Sequence, residues 1–208
     1  MPRDKSITHE KIYQVMKREF LEKGFENVSM RLIGNEVGIS QAALYRHYKS
    51  KEDMFDSLVE PLIDVFKKEV NNHIDIAYEG VEQDLDQNKM FATNNVTTLK
   101  KLIFQYHDEF YLLLCCSKGT KYENFVHDLV MKEQKEMMKT LDILKAKGLP
   151  IKEINEDDLH LLLSAYETAL FEPIVHNWPK DKTLHSLDIL EEFFIPGWKK
   201  IMGFKEGQ

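Results

Sequence analysis

Apolar side chains recur along this chain at intervals of three and four, which gathers them into stripes on helices, and no segment keeps the alternation of a half-buried strand. Ile12, Val15, Met16 and Phe20 make the first stripe. Thr8 precedes it as an N-cap, Gly24 stops it, and Phe25 is expected to fold back on it. Ser29 opens a second helix, with Leu32 or Ile33 and then Val37 facing inward. Gly38 can take the positive φ that ends a helix without a Cβ clash. Ser40 then caps a third helix with Ala43 and Leu44 inside and Gln41, Ala42 and Tyr45 outside. Ser50 and Asp53 form a capping box for a fourth helix, which turns Met54, Phe55, Leu58 and Leu62 inward. Pro61 lies within that pattern and predicts a kink or break near Ser57 and Leu58.

The text stays helical beyond this point. Residues 63–78 extend or follow the fourth helix, and the polar stretch 79–95 reads as a loop or short helix. Residues 96–104 and 106–116 are two apolar segments, and a long pattern over 121–147 is stopped by Gly148 and Pro150. A further helix runs from Glu156 to His176, bent near Pro173. The last starts at Thr183 or Ser186 and is disturbed by Pro196 and Gly197. The expected fold is all-α: a three-helix helix-turn-helix head at residues 1–51, then a larger helical domain at 52–208, with the fourth helix from about residue 51 as connector.

Two helices joined at a steep angle by a short glycine turn form the DNA-binding helix-turn-helix, whose second helix reads the major groove. The net charge of −7 argues against a nucleic-acid partner until it is divided along the chain. Residues 1–51 carry ten Lys and Arg against six Asp and Glu, whereas the remainder carries eighteen against twenty-nine. A weakly basic head on an acidic body keeps DNA as a partner for the head. The two cysteines, Cys115 and Cys116, are adjacent and suggest no oxidised framework, and they read as small buried hydrophobes. The first residues lack the apolar run of a signal peptide and no stretch approaches a membrane span, so a cytoplasmic protein without a membrane partner is expected. No Gly-rich phosphate loop, nucleophile elbow or acid/base constellation marks an enzyme, and no His, Cys or carboxylate spacing calls for a metal or cofactor.

The ordered residues Ile12, Phe20, Gly24-Phe25, Val28-Ser29-Met30-Arg31, Ile33-Gly34, Val37-Gly38-Ile39-Ser40, Ala43 to Glu52 and Phe55 together resemble the DNA-binding domain of TetR/AcrR-type bacterial transcriptional regulators. Gly34 departs from the usual alanine and Tyr48 from a frequent phenylalanine. The resemblance implies a homodimer on a double-stranded, pseudo-palindromic operator, most often as a repressor, with an inducer pocket in the C-terminal body. It puts Gln41, Tyr45 and Lys51 on the groove side. Side-chain chemistry extends this list. Gln41 can pair with adenine, and Ala42 can touch a thymine methyl. Arg31 and Arg46 can read guanine or clamp phosphate, and His47 can meet phosphate or a base edge. Ser29, Ser40, Tyr48 and Tyr45 offer hydroxyls to the backbone, and Lys51 offers a charge.

For the body, the aromatic and polar mixture of Phe104, Tyr106, His107, Phe110, Tyr111, Cys115, Tyr122 and His127 is the expected lining for a small organic effector. Leu161, Leu162, Ala165, Ala169 to Phe171 on one late helix, and Leu187, Leu190, Phe193, Phe194 and Trp198 on the other, give the apolar surface expected of a dimer interface. A DNA-binding adaptor controlled by a protein partner is the alternative. A closed cavity in the helical body favours the small molecule, and an exposed apolar groove favours the adaptor.

Overall fold

The computed structural model describes residues 5–83 and 94–204, and the regular elements among them are all helices. They are α1 (Lys5–Asn27), α2 (Met30–Val37), α3 (Gln41–Leu44), α4 (Lys51–Gln83), α5 (Asn94–Gln105), α6 (His107–Cys115), α7 (Phe125–Ala146), α8 (Glu156–Val175) and α9 (Lys180–Ile201). They form two compact units. One holds the chain up to Asp64 together with Tyr106–Asn124, and the other holds Val65–Gln105 and the chain from Phe125 onward. α4 contributes its first part to one unit and the rest to the other.

The core of the first unit follows from the α1 stripe. Ile12, Met16 and Phe20 are fully buried, and Gly24, at φ 72 and ψ 162, turns the chain so that Phe25 folds back. The rings of Phe20 and Phe25 stack at 6.0 Å, and the Phe55 ring of α4 meets both edge-on at 5.4 and 5.5 Å. Burying three such rings stabilises the unit by several kcal/mol, about 1.5–3 each. The same turn lets the Phe25 amide donate to the Cys116 carbonyl at 2.9 Å, which ties the end of α1 to the end of α6. Lys17 of α1 adds ion pairs of 3.0 Å to Asp108 and Glu109 of α6.

The second unit is built from α7, α8, α9, α5 and the later part of α4. Val81, Val130, Leu144, Leu159, Leu163, Trp198 and Met202 make one core cluster, and the rings of Phe66, Phe125 and Phe171 pack at 5.7 to 6.5 Å beside it. α8 starts on Asn155, whose side chain accepts from the Asp158 amide at 2.8 Å, with three acidic residues in the first turn to match the helix dipole.

Several element limits differ from the sequence reading. α1 begins at Lys5, ahead of Thr8, because nothing between them breaks a helix. α4 is unbroken through Pro61. Pro61 is itself exposed, while Leu58, Val59, Leu62 and Ile63 on either side are buried, so packing holds the helix across the lost hydrogen bond. α9 starts at Lys180, directly after Pro179, and runs through Pro196 and Gly197. Cys116 is buried as expected, but Cys115 is exposed, the neighbouring position on a helix pointing about 100° away. The helix α4 reaches into the polar stretch expected as a loop or short helix, much of which falls outside the described residues.

Candidate nucleic-acid interface and internal cavity

The reading element is set by its caps. The Leu32 amide donates to Ser29 Oγ at 3.2 Å and starts α2, where Ile33 and Val37 are buried and Leu32 is half-buried. Gly38, at φ 79 and ψ 34, closes it, its amide donating to the carbonyls of Gly34 and Asn35. Lys11 Nζ caps the same end through the Val37 carbonyl at 2.8 Å. The Ala43 amide then donates to Ser40 Oγ at 3.1 Å and starts α3. Gly34 does more than weaken α2: a Cβ there would stand 3.1 Å from the Ile39 carbonyl oxygen, so its absence permits the tight turn. α3 is short, but the hydrogen bonds from His47 and Tyr48 to the Leu44 carbonyl continue its winding to Tyr48.

Leu44 anchors this segment with no exposed surface, while Gln41, Ala42, Tyr45, Arg46 and His47 face solvent, and Tyr45 is 48% exposed. Ser29, Arg31 and Ser40 are exposed as well. Eight of the ten residues expected at DNA are therefore accessible. The other two have internal roles. Tyr48 is 6% exposed and stacks on His9 at 5.9 Å, with its hydroxyl within reach of Ser57, and burial pushes its pKa up. Lys51 is half-buried, donates to the Phe25 carbonyl at 2.8 Å and lies 4.0 Å over the Phe25 ring. The first contact caps the end of α1, and sequence distance hides it.

The basic side chains of this unit divide in two. Lys17, Arg18 and Lys23 are paired with carboxylates, and Lys11 and Lys51 with carbonyls. Arg31, Arg46 and Lys49 have no acidic partner among the described residues. Lys49 is exposed directly after the reading segment and was not singled out from sequence; its place beside Tyr48 was the available signal. Ser50 caps α4 as expected, with the Asp53 amide donating to it at 3.1 Å and Asp53 accepting from the Lys49 amide at 2.7 Å.

A family model for bacterial regulatory proteins of the tetR family matches residues 12–58, which span α1 to the start of α4. A helix-turn-helix transcriptional regulator of Staphylococcus aureus strain USA300 is 26% identical over 147 residues, covering 63% of this chain and 80% of that protein. One from strain MRSA252 is 30% identical over 103 residues, 48% of this chain and 56% of that one. Residues 12–58 are a DNA-binding domain of the TetR type. The fold agrees across nearly the whole length. A TetR-like regulator from Rhodococcus sp. RHA1 superposes with a TM-score of 0.50 at 15% identity, covering 98% and 99% of the two chains. PfmR, a TetR family regulator from Thermus thermophilus, gives 0.51 at 16%, covering 96% and 98%. With this TetR-type head, the protein is a DNA-binding transcriptional regulator and not an enzyme.

The second unit holds a cavity of about 530 Å³. Its wall combines Phe66, Ala77, Leu102, Met137, Phe171 and Trp198 with the carboxylic acids Glu133 and Glu167. None of the seven residues expected to bind an effector lines it. His107, Phe110, Tyr111, Cys115 and Tyr122 belong to the first unit, where Phe110 is fully buried and Tyr122 packs on Phe55 at 6.3 Å. Phe104 and His127 belong to the second, with Lys180 over the Phe104 ring at 5.1 Å and His127 facing His160 at 5.9 Å. Tyr106, also named from sequence, is likewise in the first unit. No helix of the described residues is long and apolar enough to cross a membrane.

Proposed function

We propose that this regulator is a homodimeric repressor that a small organic molecule releases from its operator. The cavity in the second unit carries the reading. Its volume of about 530 Å³ lies within the range of small-molecule sites, and apolar walls with a few polar groups are what such sites present. A protein-controlled adaptor would need no such recess between its helices.

On DNA, Gln41, Ala42, Tyr45, Arg46 and His47 read base edges, while Ser29, Arg31, Ser40 and Lys49 hold phosphates. Two copies place the reading segment in successive major grooves, about 34 Å apart on a pseudo-palindromic site. Exposed Leu161 on α8 and Ile189 and Phe193 on α9, the last 74% exposed, supply the apolar surface for pairing with a second copy. Residues 1–51 act as the reader and the remainder as the controlled body, in the cytoplasm. α4 runs from one compact unit into the other, and an effector that prefers one arrangement of the dimer changes operator affinity by its differential binding energy.

The test is fluorescence anisotropy of labelled DNA from upstream of the protein's own gene. Native protein binds, and Gln41→Ala with Tyr45→Ala weakens binding at least tenfold, the lower end expected for lost base contacts. Small-molecule extracts then release native protein from DNA and leave a cavity-narrowed Leu163→Phe variant bound. Wild-type binding by the double variant refutes the reading face, and equal release of both proteins refutes the cavity as the control site.

A further inference from the structure

The cavity contains an arrangement that apolar effectors do not require. Glu133 of α7 and Glu167 of α8 both line it, close enough for the charge of Glu133 to act on Glu167. Glu167 is only 4% exposed. No Lys, Arg or His forms an ion pair with either group among the described residues. Lys132 acts on Glu133 through its charge, but its ammonium donates to Asn71 Oδ1 at 2.6 Å on the surface. A buried carboxyl whose polar partner is another carboxyl can be satisfied only while the pair keeps a proton, since two adjacent anions away from water repel strongly. Folding therefore maintains an acid pair that has no ion-paired base among the described residues and that faces an open space.

The rest of the wall fits the same occupant. Glu69, Glu136 and Glu191 also line the cavity, against Lys101 and His73, so carboxyl groups outnumber basic ones in the wall. Glu136 differs from the pair in being neutralised, by Lys139 at 2.9 Å and the Tyr78 hydroxyl at 2.7 Å. Phe66, Tyr166, Phe171 and Trp198 add aromatic faces, which attract a positive centre through their quadrupoles. An anionic effector would find repulsion here, and a neutral one would leave the acid pair unanswered.

We propose that the effector site of this regulator selects a lipophilic organic cation, its positive centre held between Glu133 and Glu167 and its apolar groups against the aromatic wall. The proposal rests on the reading of this cavity as the effector site and adds the chemical class of ligand. An ammonium or phosphonium supplies the counter-charge that no ion pair among the described residues provides, and its substituents fill the apolar remainder. Glu167, as the more buried of the pair, is the residue on which discrimination by charge depends most.

Tetraphenylphosphonium and tetraphenylborate share size and shape and differ in the sign of charge, so they isolate the claim. Isothermal titration of the full-length protein should give phosphonium binding at least tenfold tighter than borate, and Glu133→Gln with Glu167→Gln should weaken phosphonium by tenfold or more. Both substitutions are isosteric and relieve repulsion, so the variant folds. Glu153→Gln with Glu192→Gln removes two exposed charges instead and should leave the affinity unchanged, which separates the cavity from the acidic surface. Equal binding of the two ions, or an unaltered phosphonium affinity in the cavity variant, overturns the proposal. Neutral Nile red distinguishes the two levels of failure. If it enters native protein, is reduced by Leu163→Phe and is not displaced by phosphonium, the cation class falls while the effector cavity stands. If no probe of any charge enters, both fall.

Discussion

Lys51 lies where a phosphate contact is expected, yet its ammonium already donates to the Phe25 carbonyl at 2.8 Å and covers the Phe25 ring at 4.0 Å. The two roles predict different outcomes for Lys51→Met, which keeps most of the stem and removes the charge. A hydrogen bond from a charged donor contributes about 1.5–3 kcal/mol, and half-burial selects the lower end. The cation–ring contact adds about 0.5–1 kcal/mol, and freeing the side chain returns about 1 kcal/mol of rotamer entropy. The net loss is about 1–1.5 kcal/mol, or a fall in Tm of roughly 2–6 °C for a chain of this size. Calorimetry reads that shift. Operator affinity is measured in parallel between about 50 and 200 mM salt, where each lost phosphate contact makes the slope of log affinity against log salt shallower by about 0.9. Lys51→Met should keep the native slope, and Lys49→Met should lose one contact from it at unchanged Tm. A Lys51 variant with native Tm and a shallower slope would refute the internal role.

Gly38→Ala should cost about 1 kcal/mol: its φ of 79 disfavours a Cβ, no atom lies within 4 Å to add a clash, and reduced freedom of the unfolded chain offsets part of the strain. Denaturant melts read the loss, and Gly38→Asn should recover part of it because asparagine tolerates this conformation. Burial and mutual repulsion raise the pKa of Glu167 well above the usual carboxylate value of 4.5, and burial raises that of Glu133. The folded protein therefore holds protons that the unfolded chain releases, so stability increases as pH falls from the raised pKa toward 4.5 and is flat above it. Glu167→Gln should raise Tm at neutral pH and flatten that dependence, seen in melts across the pH range; a steeper dependence would contradict the assignment. Phe193→Lys, at a side chain 74% exposed, should leave helicity and Tm close to native while light scattering shows monomer and operator binding is lost. A dimer that survives this change argues against the α8 and α9 surface.

The head was legible because its determinants are local. Ser29, Gly38, Ser40, Ser50 and Asp53 act on residues within four positions, so their hydrogen bonds are implied by spacing alone. The outward set Gln41, Ala42 and Tyr45 follows from the single inward anchor Leu44. The two exceptions, Tyr48 and Lys51, are decided by partners far along the chain, His9 and Phe25, which helical periodicity does not register. Gly34 is a subtler case. Propensity predicts a weakened helix, and only the 3.1 Å approach to the Ile39 carbonyl shows that the missing Cβ has a use.

The body was legible as helices and illegible as a site. Aromatic residues from Phe104 to Tyr122 are close in sequence, but α6 follows Lys17 and the Phe25 turn into the first unit, which removes most of them from the second. The cavity instead collects residues from α4, α5, α7, α8 and α9, and its acid pair joins two helices whose carboxyls stand 34 positions apart in sequence. On the sequence each glutamate is one polar position in a stripe, with solvent as its natural destination. Glu167 gives itself away only by its neighbours, since Leu163 and Leu170 lie on the same helical face and are buried with it. A charge on the inward face of a helix, without a base at helical spacing to answer it, is the pattern that a ligand would complete.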